Sequence, residues 1–106
     1  MKKKLTVIGA GGQMGKWFTK YFASKNFEVT GYDLENKILG KDIIEASSLV
    51  GGILKADYVI LCTPTRKTPE IIRLIAKEMQ RGTYLIEISS EKSKVVSSLS
   101  KMQKWN

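Results

Sequence analysis

Four glycines crowd one short stretch near the start of the chain, Gly9-Ala10-Gly11-Gly12-Gln13-Met14-Gly15. Glycine in such a turn permits a tight reversal. It lets a ligand meet backbone with no Cβ in the way, and it lets a helix pack closely on a strand. The flanking residues give the turn a chemical use. Lys4 to Ile8 is a short apolar, partly β-branched run that reads as a buried strand, β1. From Gln13 onward Met14, Trp17, Phe18, Tyr21 and Phe22 recur at helical spacing. A helix beginning at Gln13 and Met14 points free N–H groups and a partial positive charge back at the turn, and both favour an anion such as a pyrophosphate. Glu28 to Asp33 is a second strand, and Asp33 closes it about 20 residues after the turn, the separation expected of a carboxylate that grips an adenine ribose.

Strand, glycine turn, amphipathic helix and distal acid together predict a dinucleotide site at Gly9, Gly11, Gly12, Gln13, Met14, Gly15 and Asp33. The register is open. Gly9, Gly11 and Gly15 give GxGxxxG, whereas Gly9, Gly12 and Gly15 give GxxGxxG, and either keeps a middle glycine near the pyrophosphate and Gly15 against the sheet. A carboxylate at position 33 repels a 2′-phosphate, and Leu34 offers no compensating cation, so NAD is expected ahead of NADP. Thr63 and Pro64 follow the strand Tyr58 to Cys62, at the carboxyl edge where doubly wound sheets bind ligands, and their backbone is expected to line the cofactor.

Other chemistry is narrowed by what the chain lacks. With no histidine among 106 residues, the side chain most often used for acid–base work near neutral pH and for metal ligation is missing. Cys62 is the single cysteine, so it has neither a disulfide partner nor zinc-ligand spacing, and it reads as a small buried apolar residue in a reducing cytoplasm. No metal site is expected. The apolar run after the first lysines is too short for a signal or membrane segment. The net charge is +8, but it is spread out: eight basic against five acidic side chains in residues 1–53, ten against five in 54–106. No nucleic-acid reader motif accompanies it, so no nucleic-acid partner is expected. Trp17, Phe18, Tyr21 and Phe22 are expected to be core rather than a base-stacking surface.

The elements that must hold this site alternate strand and helix. After β2 come a loop at 36–41, a short edge strand at Asp42 to Glu45, and a helix from Ser47 to Leu54 weakened by Gly51 and Gly52. Tyr58 to Cys62 is almost wholly apolar, as a central parallel strand must be. A helix at Thr68 to Gln80, a stop at Gly82, a strand at Tyr84 to Ile88 and a last helix from Ser93 to Lys104 complete the series. The pattern predicts one α/β domain over 1–106, Rossmann-type and doubly wound: a mainly parallel sheet of about five strands with helices on both faces. Length alone excludes a two-domain enzyme.

Several segments resemble prephenate dehydrogenases: the turn followed by Lys16-Trp17-Phe18, the pair Tyr32-Asp33, the run Asp57 to Pro64, and above all Leu85-Ile86-Glu87-Ile88-Ser89-Ser90-Glu91-Lys92-Ser93. The resemblance implies a cofactor-binding portion of an enzyme that oxidatively decarboxylates prephenate with NAD or NADP in tyrosine biosynthesis. It further implies that Ser90 contacts nicotinamide and substrate. In that family a catalytic histidine, and then an arginine on a helical dimerisation domain, follow the region resembled here. This chain contains no histidine, so it is expected to be an incomplete N-terminal portion, inactive alone, which self-associates or pairs with such a helical domain. The alternatives are the same part of another β-hydroxyacid-type dehydrogenase, or a stand-alone nucleotide-binding module.

Overall fold

The computed structural model describes residues 2–35, 39–63, 68–88 and 99–104. The elements are β1 (Lys4–Ile8), α1 (Gln13–Ala23), β2 (Glu28–Tyr32), β3 (Ile44–Glu45), α2 (Leu49–Ile53), β4 (Tyr58–Leu61), α3 (Thr68–Ala76), β5 (Tyr84–Ile88) and β6 (Leu99–Lys104). They form one sheet in the order β3-β2-β1-β4-β5-β6. The first five strands pair in parallel, and β6 runs antiparallel to β5. The order reverses between β1 and β4, and there the sheet opens the crevice in which doubly wound folds bind ligands.

The strands are apolar on both faces because both faces are covered. On one side Leu5, Val7, Val29 and Ile60 pack with Met14, Phe18 and Phe22 of α1. On the other, Ile8, Val59, Leu61 and Leu85 pack with Ile53 of α2 and with Ile71 and Ile75 of α3. Ile53, Val59, Leu61 and Ile75 have no exposed surface at all. Removing a methylene-rich side chain from such a site costs about 2–5 kcal/mol.

Three departures from the sequence pattern have identifiable causes. The last helix is not formed over its second half, because Leu99–Lys104 is strand β6; its beginning, from Ser93, lies outside the described residues. The parallel sheet leaves a row of unpaired groups along the outer edge of β5, and this segment pairs with that edge although its own residues favour a helix. The helices α2 and α3 are shorter than expected. The Ser48 hydroxyl accepts the Gly51 N–H at 3.0 Å and starts α2 late. Gly52 is buried so close to the sheet that its carbonyl accepts the Thr6 hydroxyl.

Trp17 and Tyr21 are not core. They are 58% and 42% exposed, while the buried residues of α1 are Gly15 and Thr19. Small residues occupy the line of closest approach, so Met14, Phe18 and Phe22 flank it and the outermost rings fall on solvent. There Trp17 stacks on Tyr21, with ring centroids 5.1 Å apart, and Lys25 Nζ lies 5.4 Å from the centre of the Tyr21 ring.

Candidate functional site

The turn after β1 is fixed by its own amides. Gly9 N–H and Ala10 N–H both donate to the carbonyl of Tyr32, at 2.8 and 3.1 Å, and tie the turn to the end of β2. Gly11 N–H donates to Asp33 Oδ2 at 2.8 Å, and the Glu35 N–H donates to Asp33 Oδ1 at 2.9 Å. Gly12 N–H folds back onto the Gly9 carbonyl, and Lys16 N–H reaches Gly12 to begin the helical ladder. Between these lie the N–H groups of Gln13 and Met14, in the first turn of α1, where no intrahelical acceptor exists. No acidic side chain stands in that first turn and no side chain caps it.

The glycines divide the work by what surrounds them. At Gly9, with φ +85°, a Cβ would lie 2.8 Å from the carbonyl oxygen of Cys62, so β1 and β4 meet too closely for any side chain. At Gly15 a Cβ would strike the Gly9 carbonyl and come within 2.7 Å of Ala10 Cα, so this residue sets the approach of α1 to the turn. Gly12 is different. A Cβ there would meet nothing nearer than the Gly9 carbonyl at 3.7 Å, and the space beside it is the cleft.

That cleft has a volume of about 660 Å³, within the range of small-molecule sites. Gly9, Gly12, Gln13, Met14, Asp33 and Thr63 line it, which brings six of the expected residues to one place. Gly11 and Gly15 do not line it. Pro64 and Ser90 lie outside the described residues. The opposite wall was not foreseen: Leu49 of α2 and Glu70, Ile71 and Leu74 of α3 complete the cleft, with Leu34 and Glu35 at its rim. Two signals for it were in the sequence, an apolar residue directly after Asp33 and an acid in the first turn of the helix after the central strand.

Thr63 is buried, and its hydroxyl lies 3.2 Å from that of Thr68, so the end of β4 is joined to the start of α3 across the floor of the cleft. Cys62 also lines the cleft, but burial pushes its thiol up to about 12, and it stays neutral and unreactive at ordinary pH. Among the described residues no group of acidic, cysteine or histidine side chains could hold a metal ion, and no helix is long and apolar enough to cross a membrane.

A parallel sheet with a crevice at its switch point, a glycine turn feeding a helix N-terminus, and a carboxylate at the end of the neighbouring strand define a nucleotide-binding domain of the dehydrogenase type. The comparisons then give the family. The family model described as prephenate dehydrogenase, nucleotide-binding domain, matches residues 23–106. A probable arogenate/prephenate dehydrogenase from Methanocaldococcus jannaschii is 32% identical over 95 residues, covering 83% of this chain and 21% of that protein. The chain belongs to the prephenate dehydrogenase family, and it spans about a fifth of the length of that curated relative. Among solved structures it is similar to an NAD-dependent formate dehydrogenase from Staphylococcus aureus in complex with NAD, at TM-score 0.72 and 18% identity, over 93% of this chain and 32% of that one. A semialdehyde dehydrogenase NAD-binding protein from Cupriavidus necator, in complex with calcium and NAD, gives TM-score 0.68 and 25% identity over 83% of this chain and 33% of that one.

Proposed function

We propose that this chain is the NAD-binding part of an oxidoreductase of the prephenate dehydrogenase type, serving the oxidative decarboxylation of prephenate in tyrosine biosynthesis, and that it does not catalyse alone. The observation that carries this reading is the cleft itself, where the N–H groups of Gln13 and Met14, the bare backbone of Gly12 and the Asp33 carboxylate converge on one space. The donor set suits a dinucleotide: amides at a helix N-terminus for the pyrophosphate, a carboxylate for ribose hydroxyls, and Leu34, Ile71 and Leu74 as apolar surface for the base. When bound, NAD supplies the hydride acceptor.

The chain's own residues do the holding and the selecting. Asp33, Glu35 and Glu70 face the cleft, and no Lys or Arg is among the described residues that line it. Among the described residues a 2′-phosphate therefore meets carboxylates and no cation, which favours NAD over NADP. Neutral Cys62 and Thr63 close the floor without adding charge. Handling the proton of a substrate hydroxyl calls for a group tuned near neutral pH, and with no histidine in the sequence this task falls to further polypeptide of the kind the longer relative possesses. A cytoplasmic setting suits the single unpaired thiol.

Calorimetric titration with NAD is expected to show saturable binding; its absence overturns the cofactor reading. Purified protein given prephenate and NAD should form no NADH, and steady turnover would overturn the second half of the proposal. Asp33→Ala should weaken NAD by about 10-fold or more, the scale of a lost charged hydrogen bond, and NADP by less. Equal loss for both would remove Asp33 as the ribose partner.

A further inference from the structure

Asp33 is engaged before any ligand arrives. Gly9, Ala10 and Gly11 are three consecutive donors aimed at the end of β2, the first two onto the Tyr32 carbonyl and the third onto Asp33 Oδ2. The bonds to Tyr32 need only backbone, so any sequence could make them. The bond from Gly11 needs the carboxylate. It falls one residue before Gly12, whose N–H turns back to Gly9, and immediately ahead of the amides of Gln13 and Met14, which have no intrahelical acceptor. The second oxygen, Oδ1, is steadied by the Glu35 N–H, so the carboxylate cannot swing away from the turn without breaking two bonds.

We propose that Asp33 is a positioning residue for the pyrophosphate-binding amides in addition to being a ribose partner: its carboxylate clamps Gly11 to β2 and so aims the first turn of α1 into the cleft. This rests on the NAD-site reading above. An ionised carboxylate offers about four acceptor sites, so two backbone bonds leave room for ribose hydroxyls and the roles do not compete. The clamp has a consequence for cofactor choice. A substitution at position 33 that removes the repulsion of a 2′-phosphate also weakens or removes the bond from the Gly11 amide and loosens the grip on the diphosphate, so what NADP gains at the ribose it loses at the pyrophosphate.

Inorganic pyrophosphate, which has no ribose, separates the two roles. Asp33→Ala removes the acceptors of both the Gly11 and the Glu35 N–H at once. In competition with NAD, this variant should bind pyrophosphate about 5- to 10-fold more weakly than wild type, as expected for one lost charge-assisted hydrogen bond. Unchanged pyrophosphate affinity beside weakened NAD would overturn the clamp. Amide hydrogen exchange on the ligand-free wild type tests it without any variant: the Gly11 N–H should be protected to within about tenfold of Gly9, the scale expected when both amides open together. A Gly11 amide exchanging as fast as free peptide beside a protected Gly9 overturns the proposal. In Asp33→Ala, protection should vanish at Gly11 and persist at Gly9, whereas equal loss at both would mean general loosening and would also overturn it. If wild type binds no NAD, the cofactor reading fails while the Gly11 exchange still decides the clamp.

Discussion

The two walls of the cleft are made of different material. The wall from β1, α1 and β2 presents backbone: Gly9, Gly12 and the amides of Gln13 and Met14, with Asp33 bonded into the turn. The wall from β4 and α3 presents side chains: Ile71 is buried against the sheet, whereas Leu74 is 58% exposed. Backbone can be positioned only by the fold that carries it, so on the first wall binding and folding depend on the same residues. On the second wall an exposed side chain touches little besides the cleft, and its loss should be felt by a ligand more than by the fold.

The sharpest break in this comparison lies among the glycines themselves. Gly15→Ala drives a Cβ into the Gly9 carbonyl, and Gly9→Ala places one 2.8 Å from the Cys62 oxygen at a φ of +85°. Each should cost more than about 3 kcal/mol, through overpacking against backbone that cannot move and, at Gly9, through strain as well. Chemical denaturation will measure it, and a loss under about 1 kcal/mol would show that the turn is more yielding than its contacts suggest. Gly12→Ala meets only the 3.7 Å contact, at an extended N-cap position with φ −80°. It should cost less than about 1 kcal/mol of stability yet lower NAD affinity about 10-fold or more, because its methyl enters the space a pyrophosphate would need. A Gly12→Ala variant that binds NAD like wild type would take Gly12 out of the site.

How far these roles were legible depended on how local they are. The strand Lys4–Ile8, the turn and the start of α1 are consecutive in the chain, so composition and spacing were enough to place them. The choice between Gly11 and Gly12 was not legible, because it turns on which amide Asp33 takes, a contact across 22 positions. Periodicity put Trp17 and Tyr21 on the apolar stripe of α1, but the stripe is wider than the contact, and small Gly15 and Thr19 draw the helix in so closely that the outer rings are left in solvent. Strand β6 was missed because its main cause is elsewhere: the open edge of β5 recruits a segment whose own pattern reads as helix. The second wall was missed for a related reason, since α2 and α3 reach the cleft only once the crossovers from β3 to β4 and from β4 to β5 have set them on the far face of the sheet.

A smaller effect sharpens the contrast from the second wall. Leu74→Ala should leave the denaturation midpoint nearly unchanged, since an exposed leucine contributes within about 0.5 kcal/mol to folding. It should weaken NAD about threefold, the loss expected from part of one apolar contact with a base. The ratio matters more than either number: stability should fall with little change in Leu74 contacts at Gly15→Ala, and affinity should fall with little change in stability at Leu74→Ala. If Leu74→Ala loses as much stability as affinity, the α3 wall is structural in the same sense as the glycine wall and the distinction fails.

Cys62 lies at the seam between the walls, its carbonyl against Gly9 and its N–H bonded to Ile8 at 2.8 Å, and it gives the mildest test. Burial raises its thiol from 9.0 to about 12. The folded state therefore keeps the proton over a range in which the unfolded state releases it, and stability falls as pH rises through that range. The contribution is whole below pH 9 and declines toward pH 12 with a slope of at most about 1.4 kcal/mol per pH unit. All other groups are common to the two proteins, so the measurement is the difference between wild type and Cys62→Ala: the variant should lose stability less steeply above pH 9. Parallel curves would mean that the thiol is open to water at the cleft floor. The same conclusion would follow if iodoacetamide labelled Cys62 promptly at pH 8, since a neutral thiol in the seam should react only as the protein opens.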